Sequence, residues 1–237
     1  MNRKECIGEL LAKEHYGFDD LKLIMDLLRS EGGCPWDMEQ THGSIRSCMI
    51  EEAYEVVEAI DTENATLLRE ELGDVLFQVM FHARIEEEQG TFSVGDVVHD
   101  ICEKMIRRHP HVFSDATVTD ANDTVGRWEA IKTEEKQRTT LSARLRAVPP
   151  MLPALMRASK IVKKTTPGEA SPSKEAEVLA GSAASLAAHT PDQAALGALL
   201  LQTVRYAVSC GLDAEQALGQ AVEGVILQVE AEEAAKN

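Results

Sequence analysis

Aromatic residues are scarce, 4% of 237 residues, while alanine and leucine abound, which favours helices over a sheet. Cysteine is sparse too: the five, at 6, 34, 48, 102 and 210, are scattered and form no C-x-x-C pair. That pattern fits reduced thiols in a cytoplasmic protein better than a disulfide framework. No apolar run is long enough to span a bilayer, and Met1–Cys6 leads into no signal-peptide core, so no membrane partner is expected. Cations are outnumbered, 24 Lys and Arg against 40 Asp and Glu, for a net charge of −16. A long nucleic acid is thereby excluded as a partner, because binding its backbone needs a basic surface. Also absent are a Gly-rich phosphate loop, a G-x-S-x-G elbow and a Cys-His nucleophile pattern.

What the chain has in quantity is acid, and its placement is informative. Glu51-Glu52-x-x-Glu55 and Glu70-Glu71-x-x-Asp74 each lie within an apolar pattern of helical period. Ile45, Met49, Ala53, Val56 and Ile60 recur at three and four in the first, and Leu68, Leu72, Val75, Leu76 and Val79 in the second. Residues three or four apart share a helix face, so Glu52 neighbours Glu55 and Glu71 neighbours Asp74. The break at Asp61–Asn64 is short, and short connections make antiparallel neighbours. Four carboxylates then meet near one apolar seam, where like charges repel and desolvation is costly. An acidic run alone reads as a solvated helix face. Two in matching register read as a site for a hard cation, Mg²⁺ above all, which Mn²⁺ can replace.

At 237 residues the chain accommodates one or two domains. The pattern predicts helices over 18–29, 43–60, 65–89, 94–108 and 120–137, with Cys34–Asp37 and His109–Phe113 as loops set by Pro35 and Pro110. Ser93 and Asp96 form a capping box with Asp in place of Glu. Polar residues 133–142 and the prolines at 149, 150 and 153 mark a boundary between halves. Beyond it, helices are expected near 153–164, 174–188, 192–209 and 213–233, with a mobile break at Thr166–Ser173.

Lys104, Arg107 and Arg108 close the fourth helix, where cations suit the helix dipole; Lys104 and Arg108, at i,i+4, also suit phosphate oxygens. Trp128 reads as core more readily than as a base-stacking residue, though Lys132, one turn on, tilts it towards the latter. Trp36 fits a pocket wall better than a core. His109 and His111 lack the cysteines of a zinc set, and Glu39-x-x-His42 is only half of a di-iron signature.

Taken together, Gly33-Cys34-Pro35-Trp36-Asp37-x-x-Gln40-Thr41-His42, Glu51-Glu52-x-x-Glu55, Glu71-Leu72-Gly73-Asp74, Arg107-Arg108-His109-Pro110-His111-Val112-Phe113 and Trp128-x-x-Ile131-Lys132 resemble MazG nucleoside triphosphate pyrophosphohydrolases. The resemblance runs in order from about residue 18 to 137 and continues faintly through Leu152–Ala158. It implies an all-α, homodimeric or higher oligomeric helical bundle that cleaves nucleoside triphosphates to monophosphate and pyrophosphate with Mg²⁺. It also implies that Glu52, Glu55, Glu71 and Asp74 hold the metal with Glu51 assisting, and that Lys104, Arg108, Trp128 and Lys132 contact the substrate. A narrow pyrimidine-dNTP hydrolase of the same superfamily and a non-catalytic nucleotide-binding or interaction dimer are the alternatives.

The expected organisation is a catalytic domain over 1–140 and a degenerate repeat over 141–237. At an offset of 124, Glu70–Gln78 falls on Ala194–Gln202, which keeps Leu, Gly, Leu and Gln but has Ala195 for Glu71 and Ala198 for Asp74. Glu175 and Glu177 lie close to where Glu52 falls, so a small shift recovers one acid but not the pair.

Overall fold

The computed structural model describes residues 2–114, 140–166, 171–188, 190 and 192–235, and within 115–139 only Thr124, Trp128, Ile131 and Glu135. Among these residues the fold is all-α, with no strand, and the chain divides into two compact units, Met1–Val118 and Thr119–Asn237.

The first unit contains α1 (Arg3–Leu11), α2 (Phe18–Leu28), α3 (Pro35–Glu39), α4 (Arg46–Asp61), α5 (Ala65–Glu88), α6 (Val94–Arg108) and α7 (Pro110–Phe113). Three of these were not expected. A reciprocal box between Asn2 and Glu5 starts α1. Pro35 and Pro110 do not merely break the chain; each occupies the first turn of a short helix, where the missing N–H costs nothing and the fixed φ is already helical. The Ser93–Asp96 box opens α6 as expected, with Ser93 N donating to Asp96 Oδ2 at 2.7 Å.

Met25, Ile45, Met80, Phe81, Ala83, Ile85 and Val94 form the core, with Leu21, Cys48, Phe77 and Val97 packed against them. Burying each large side chain here contributes about 1.5–3 kcal/mol. The stripe that α5 turns inward differs from the one the apolar pattern suggests. Leu72 and Leu76 are exposed, whereas Glu71 and Gln78 are buried. On α4, Ala59 is fully buried and Ile60 exposed. Both helices are therefore rotated so that acids, and not only leucines, line the seam.

Two devices fix the segment that leads into α4. The buried Arg29 guanidinium donates to the backbone oxygens of Asp37 and Gln40, lies 5.2 Å from the Phe81 ring centre and pairs with Glu88. Gly33 tucks so closely under the end of α2 that a Cβ there would sit 2.2 Å from the Leu28 oxygen. Further on, His42 joins His82 (Nδ1 to Nδ1, 2.7 Å) and Glu86 (Nε2 to Oε1, 2.7 Å).

In the second unit follow α8 (Leu141–Arg146), α9 (Ala154–Thr165), α10 (Pro172–Ala188), α11 (Gln193–Ser209) and α12 (Ala214–Ala234). Its core is Val162, Val204, Ala207 and Ala214, with Leu155, Ala158 and Val208 against it. α10 packs along α11 as α4 packs along α5. Of the break expected at Thr166–Ser173, residues 167–170 lie outside the described residues. No single helix among the described residues is long and apolar enough to cross a membrane.

Candidate active site

α4 and α5 are joined by Thr62, Glu63 and Asn64, and the joint is tightly specified. Asn64 N donates to Ala59 O and Glu63 N to Ile60 O, while the Asn64 side chain accepts from Leu67 N and starts α5. These paired bonds form a Schellman closure, which places its penultimate residue in the left-handed region; Glu63 has φ +52°. The hairpin is antiparallel, since it brings Glu55 beside Glu71 at one end and His42 beside His82 towards the other.

At the closed end of the hairpin, one carboxylate oxygen from each of Glu52, Glu55 and Glu71 lies within 4.8 Å of the other two. Glu71 is buried, Glu52 half-buried and Glu55 exposed, so the group opens to solvent on one side. Asp74 is exposed and stands outside this set of three, yet its charge acts on both Glu52 and Glu71. Burial, followed by the charges of Asp74 and Glu55, raises the Glu52 pKa above the ordinary carboxylate value. Glu71 is raised by burial first, then by Glu55, Asp74 and Glu70. None of the four makes an ion pair with a described residue. Several hard oxygens held together, with the ionisation of Glu52 and Glu71 opposed and no paired side-chain cation among the described residues, suit a divalent ion such as Mg²⁺. Glu51 is exposed and does not join the cluster.

Gln78 escaped the sequence reading. It lies one turn beyond Asp74 on the inward stripe of α5, its amide rests against Glu52, and it is 8% exposed. The available signal was a lone polar residue, two turns after Glu71, within the apolar run Val75–Phe81.

The cations expected to meet phosphate lie on α6, with Lys104 half-buried, Arg107 exposed and Arg108 buried. Trp36 stands 60% exposed on α3 and fills no core. Trp128 is helical and half-buried, and Lys132 lies outside the described residues. His109 caps α6 through Nδ1 to Met105 O at 2.7 Å, and neither it nor His111 joins a metal-ligating group among the described residues.

The MazG nucleotide pyrophosphohydrolase domain family matches residues 40–113, a span that contains the carboxylate cluster and α6. Over 144 residues the chain is 47% identical to the nucleoside triphosphate pyrophosphohydrolase/pyrophosphatase MazG of Thermotoga maritima, covering 61% of this chain and 54% of that protein. It is 48% identical over 147 residues to the nucleoside triphosphate pyrophosphohydrolase of Escherichia coli, covering 62% and 56%. It is also 51% identical over 149 residues to the protein YabN of Bacillus subtilis, covering 63% and 30%. The chain thus spans about half the length, or less, of these curated relatives.

Proposed function

We propose, from the match of residues 40–113 to the MazG nucleotide pyrophosphohydrolase domain family, that the chain hydrolyses nucleoside triphosphates, ribo- and deoxyribo-, to monophosphate and pyrophosphate with a broad base range. The convergence of Glu52, Glu55 and Glu71 within 4.8 Å carries the reading. When bound, Mg²⁺ (or Mn²⁺) supplies charge neutralisation of the phosphoryl oxygens and acidification of water. Glu52, Glu55, Glu71 and Asp74 are the residues that would hold it.

The residues divide the chemistry among them. A water oxygen bonds to the α-phosphorus as the bond to the α–β bridging oxygen breaks, and pyrophosphate carries the electron pair away. Glu51 or Glu55, the two exposed acids of the first cluster, takes the water's proton. Lys104, Arg107, Arg108 and Lys132 spread positive charge along the triphosphate, on which phosphoryl transfer mainly depends. Trp36 and Trp128 serve the nucleoside end.

The catalytic domain in this reading is 1–140, and 141–237 is a helical repeat without a site of its own. Ala195 and Ala198 stand on α11 at the places that Glu71 and Asp74 hold on α5. A homodimer accords with Tyr54, Val57 and Leu72, large apolar side chains that α4 and α5 leave exposed. Assay of pyrophosphate and monophosphate release with Mg²⁺ across the eight common NTPs and dNTPs tests the proposal. Turnover of several purines and pyrimidines supports it; turnover of pyrimidine dNTPs alone indicates the narrow hydrolase, and binding without release a non-catalytic module.

A further inference from the structure

The Gln78 side chain poses a question that the carboxylates do not answer. It is nine-tenths buried, and its Oε1 has no hydrogen-bond partner among the described residues. An unpaired buried carbonyl acceptor costs about 1–3 kcal/mol, and such a group in a native site calls for a water or an ion. The same amide interacts with the carboxylate of Glu52, a member of the Glu52–Glu55–Glu71 group, which makes the unpaired oxygen a near neighbour of that acid.

The second unit supplies an internal comparison. Gln202 on α11 is the counterpart of Gln78 at the offset of 124, and it too is buried. Its Nε2 donates to Glu175 Oε2 on α10 at 2.6 Å. The amide-to-carboxylate contact across the hairpin therefore occurs in both units, and is a packing feature in the one that lacks the other acids. What distinguishes the first unit is the oxygen: Gln78 Oε1 is buried and unpaired, whereas no oxygen of Gln202 is so stranded.

We infer that Gln78 is a positioning residue of the metal centre: its Oε1 accepts a hydrogen bond from one water of the hydrated cation and so holds that cation's shell in register with the carboxylates. This rests on the carboxylate cluster being a cation site. Supporting residues around a metal orient its ligands, and their loss typically weakens metal affinity about 10–100-fold. Mg²⁺ retains several of its waters when protein-bound, so an acceptor for one of them has a defined task.

The test is calorimetric titration of the full chain with Mg²⁺ and with Mn²⁺, paired with thermal melting in chelator. The chains compared are wild type, Gln78→Met, Gln78→Glu and Gln202→Met. Gln78→Met should bind both cations about tenfold or more weakly without a lower metal-free melting temperature, because the stranded carbonyl is gone. Gln78→Glu keeps buried oxygen acceptors and should stay within about threefold of wild type, a small part of the loss expected of a supporting residue. Gln202→Met should lower the melting temperature and leave cation affinity unchanged. Wild-type affinity in Gln78→Met overturns the inference, as does an equal loss in Gln78→Glu and Gln78→Met. If Gln78→Met does not fold, Gln78→Glu against wild type decides on the same threefold criterion. A wild-type chain that binds neither cation contradicts the metal centre itself, and this role with it.

Discussion

Arg29 forks onto Glu88, 59 positions further along the chain, with Nη2 to Oε2 at 2.8 Å and Nε to Oε1 at 3.0 Å. The Arg29 side chain is only 5% exposed while Glu88 is 31% exposed, so the pair lies between a buried and a surface ion pair. The hydrogen bond from Arg29 is the main reason the Glu88 pKa falls below its ordinary value. Through this pair the segment that leads into α4 is held against the far end of α5.

Removing the acid leaves a buried guanidinium with half its partners. Glu88→Gln should lower stability by about 1–3 kcal/mol at pH 7, between the figures for surface and buried pairs. A depressed carboxylate pKa contributes stability that is complete above the unfolded value, near about 4.3, and is lost as pH falls through the lower folded value. Urea denaturation of both chains should therefore show the gap at pH 7 closing below about pH 4. A gap independent of pH would refute the ion pair as its source.

The α4–α5 turn carries a different cost. Glu63 sits at φ +52°, while the equivalent residues closing α5 and α11 are Gly90 at +71° and Gly211 at +72°. Left-handed backbone costs an L-residue about 1 kcal/mol more than glycine. Glu63→Gly should raise the denaturation midpoint by up to about 1 kcal/mol equivalent; a lower midpoint would show that the Glu63 side chain matters more than its backbone.

The carboxylate cluster works against folding when no metal is present. The raised pKa values of Glu52 and Glu71 mean that the folded chain binds more protons than the unfolded one just above the ordinary carboxylate range. Stability from these groups is thus highest at acid pH and declines as pH rises through the folded values. In chelator at pH 7, Glu71→Gln should melt above wild type, and the difference should shrink towards pH 4. Adding Mg²⁺ should raise the melting temperature of wild type and not of Glu71→Gln. Equal melting of the two chains in chelator would contradict the like-charge strain.

Phosphate contacts should be blind to the base. Lys104→Ala is expected to lower kcat/KM by about tenfold or more, and similarly for every nucleotide turned over. Arg108 is buried, so Arg108→Ala should combine that loss with reduced stability, and Arg108→Lys should restore stability more than rate, because a lysine does not reproduce the guanidinium fork. Loss confined to one base would place these residues at the nucleoside instead.

Much of this architecture is legible in the sequence where apolar period and caps agree. Helices expected over 65–89 and 94–108 are observed as α5 and α6 within a residue of those ends, and the capping box at Ser93 is present. The short helices α3 and α7 escape notice because Pro35 and Pro110 were weighed only as breakers, although proline also opens helices. The α4–α5 hairpin and three of its converging acids follow from spacing. Which apolar residues flank them does not: the face of Leu72 and Leu76 is exposed because Glu71 and Gln78 take the inward stripe. Periodicity locates a stripe only to within a fraction of a turn. The bond chain His82–His42–Glu86 depends on contacts between residues 40 and 44 positions apart, which no local pattern contains.

In the proposed function, one carboxylate centre in the first unit performs the hydrolysis and the second unit has none. Pyrophosphate release by the full-length Glu52→Gln chain, with Mg²⁺ and a mixture of purine and pyrimidine triphosphates, tests both parts at once. Turnover is expected in wild type and none above background in Glu52→Gln, whose circular dichroism should remain helical. Residual Mg²⁺-dependent release in that folded variant would contradict this assignment, by requiring a second site or a centre that does not need Glu52.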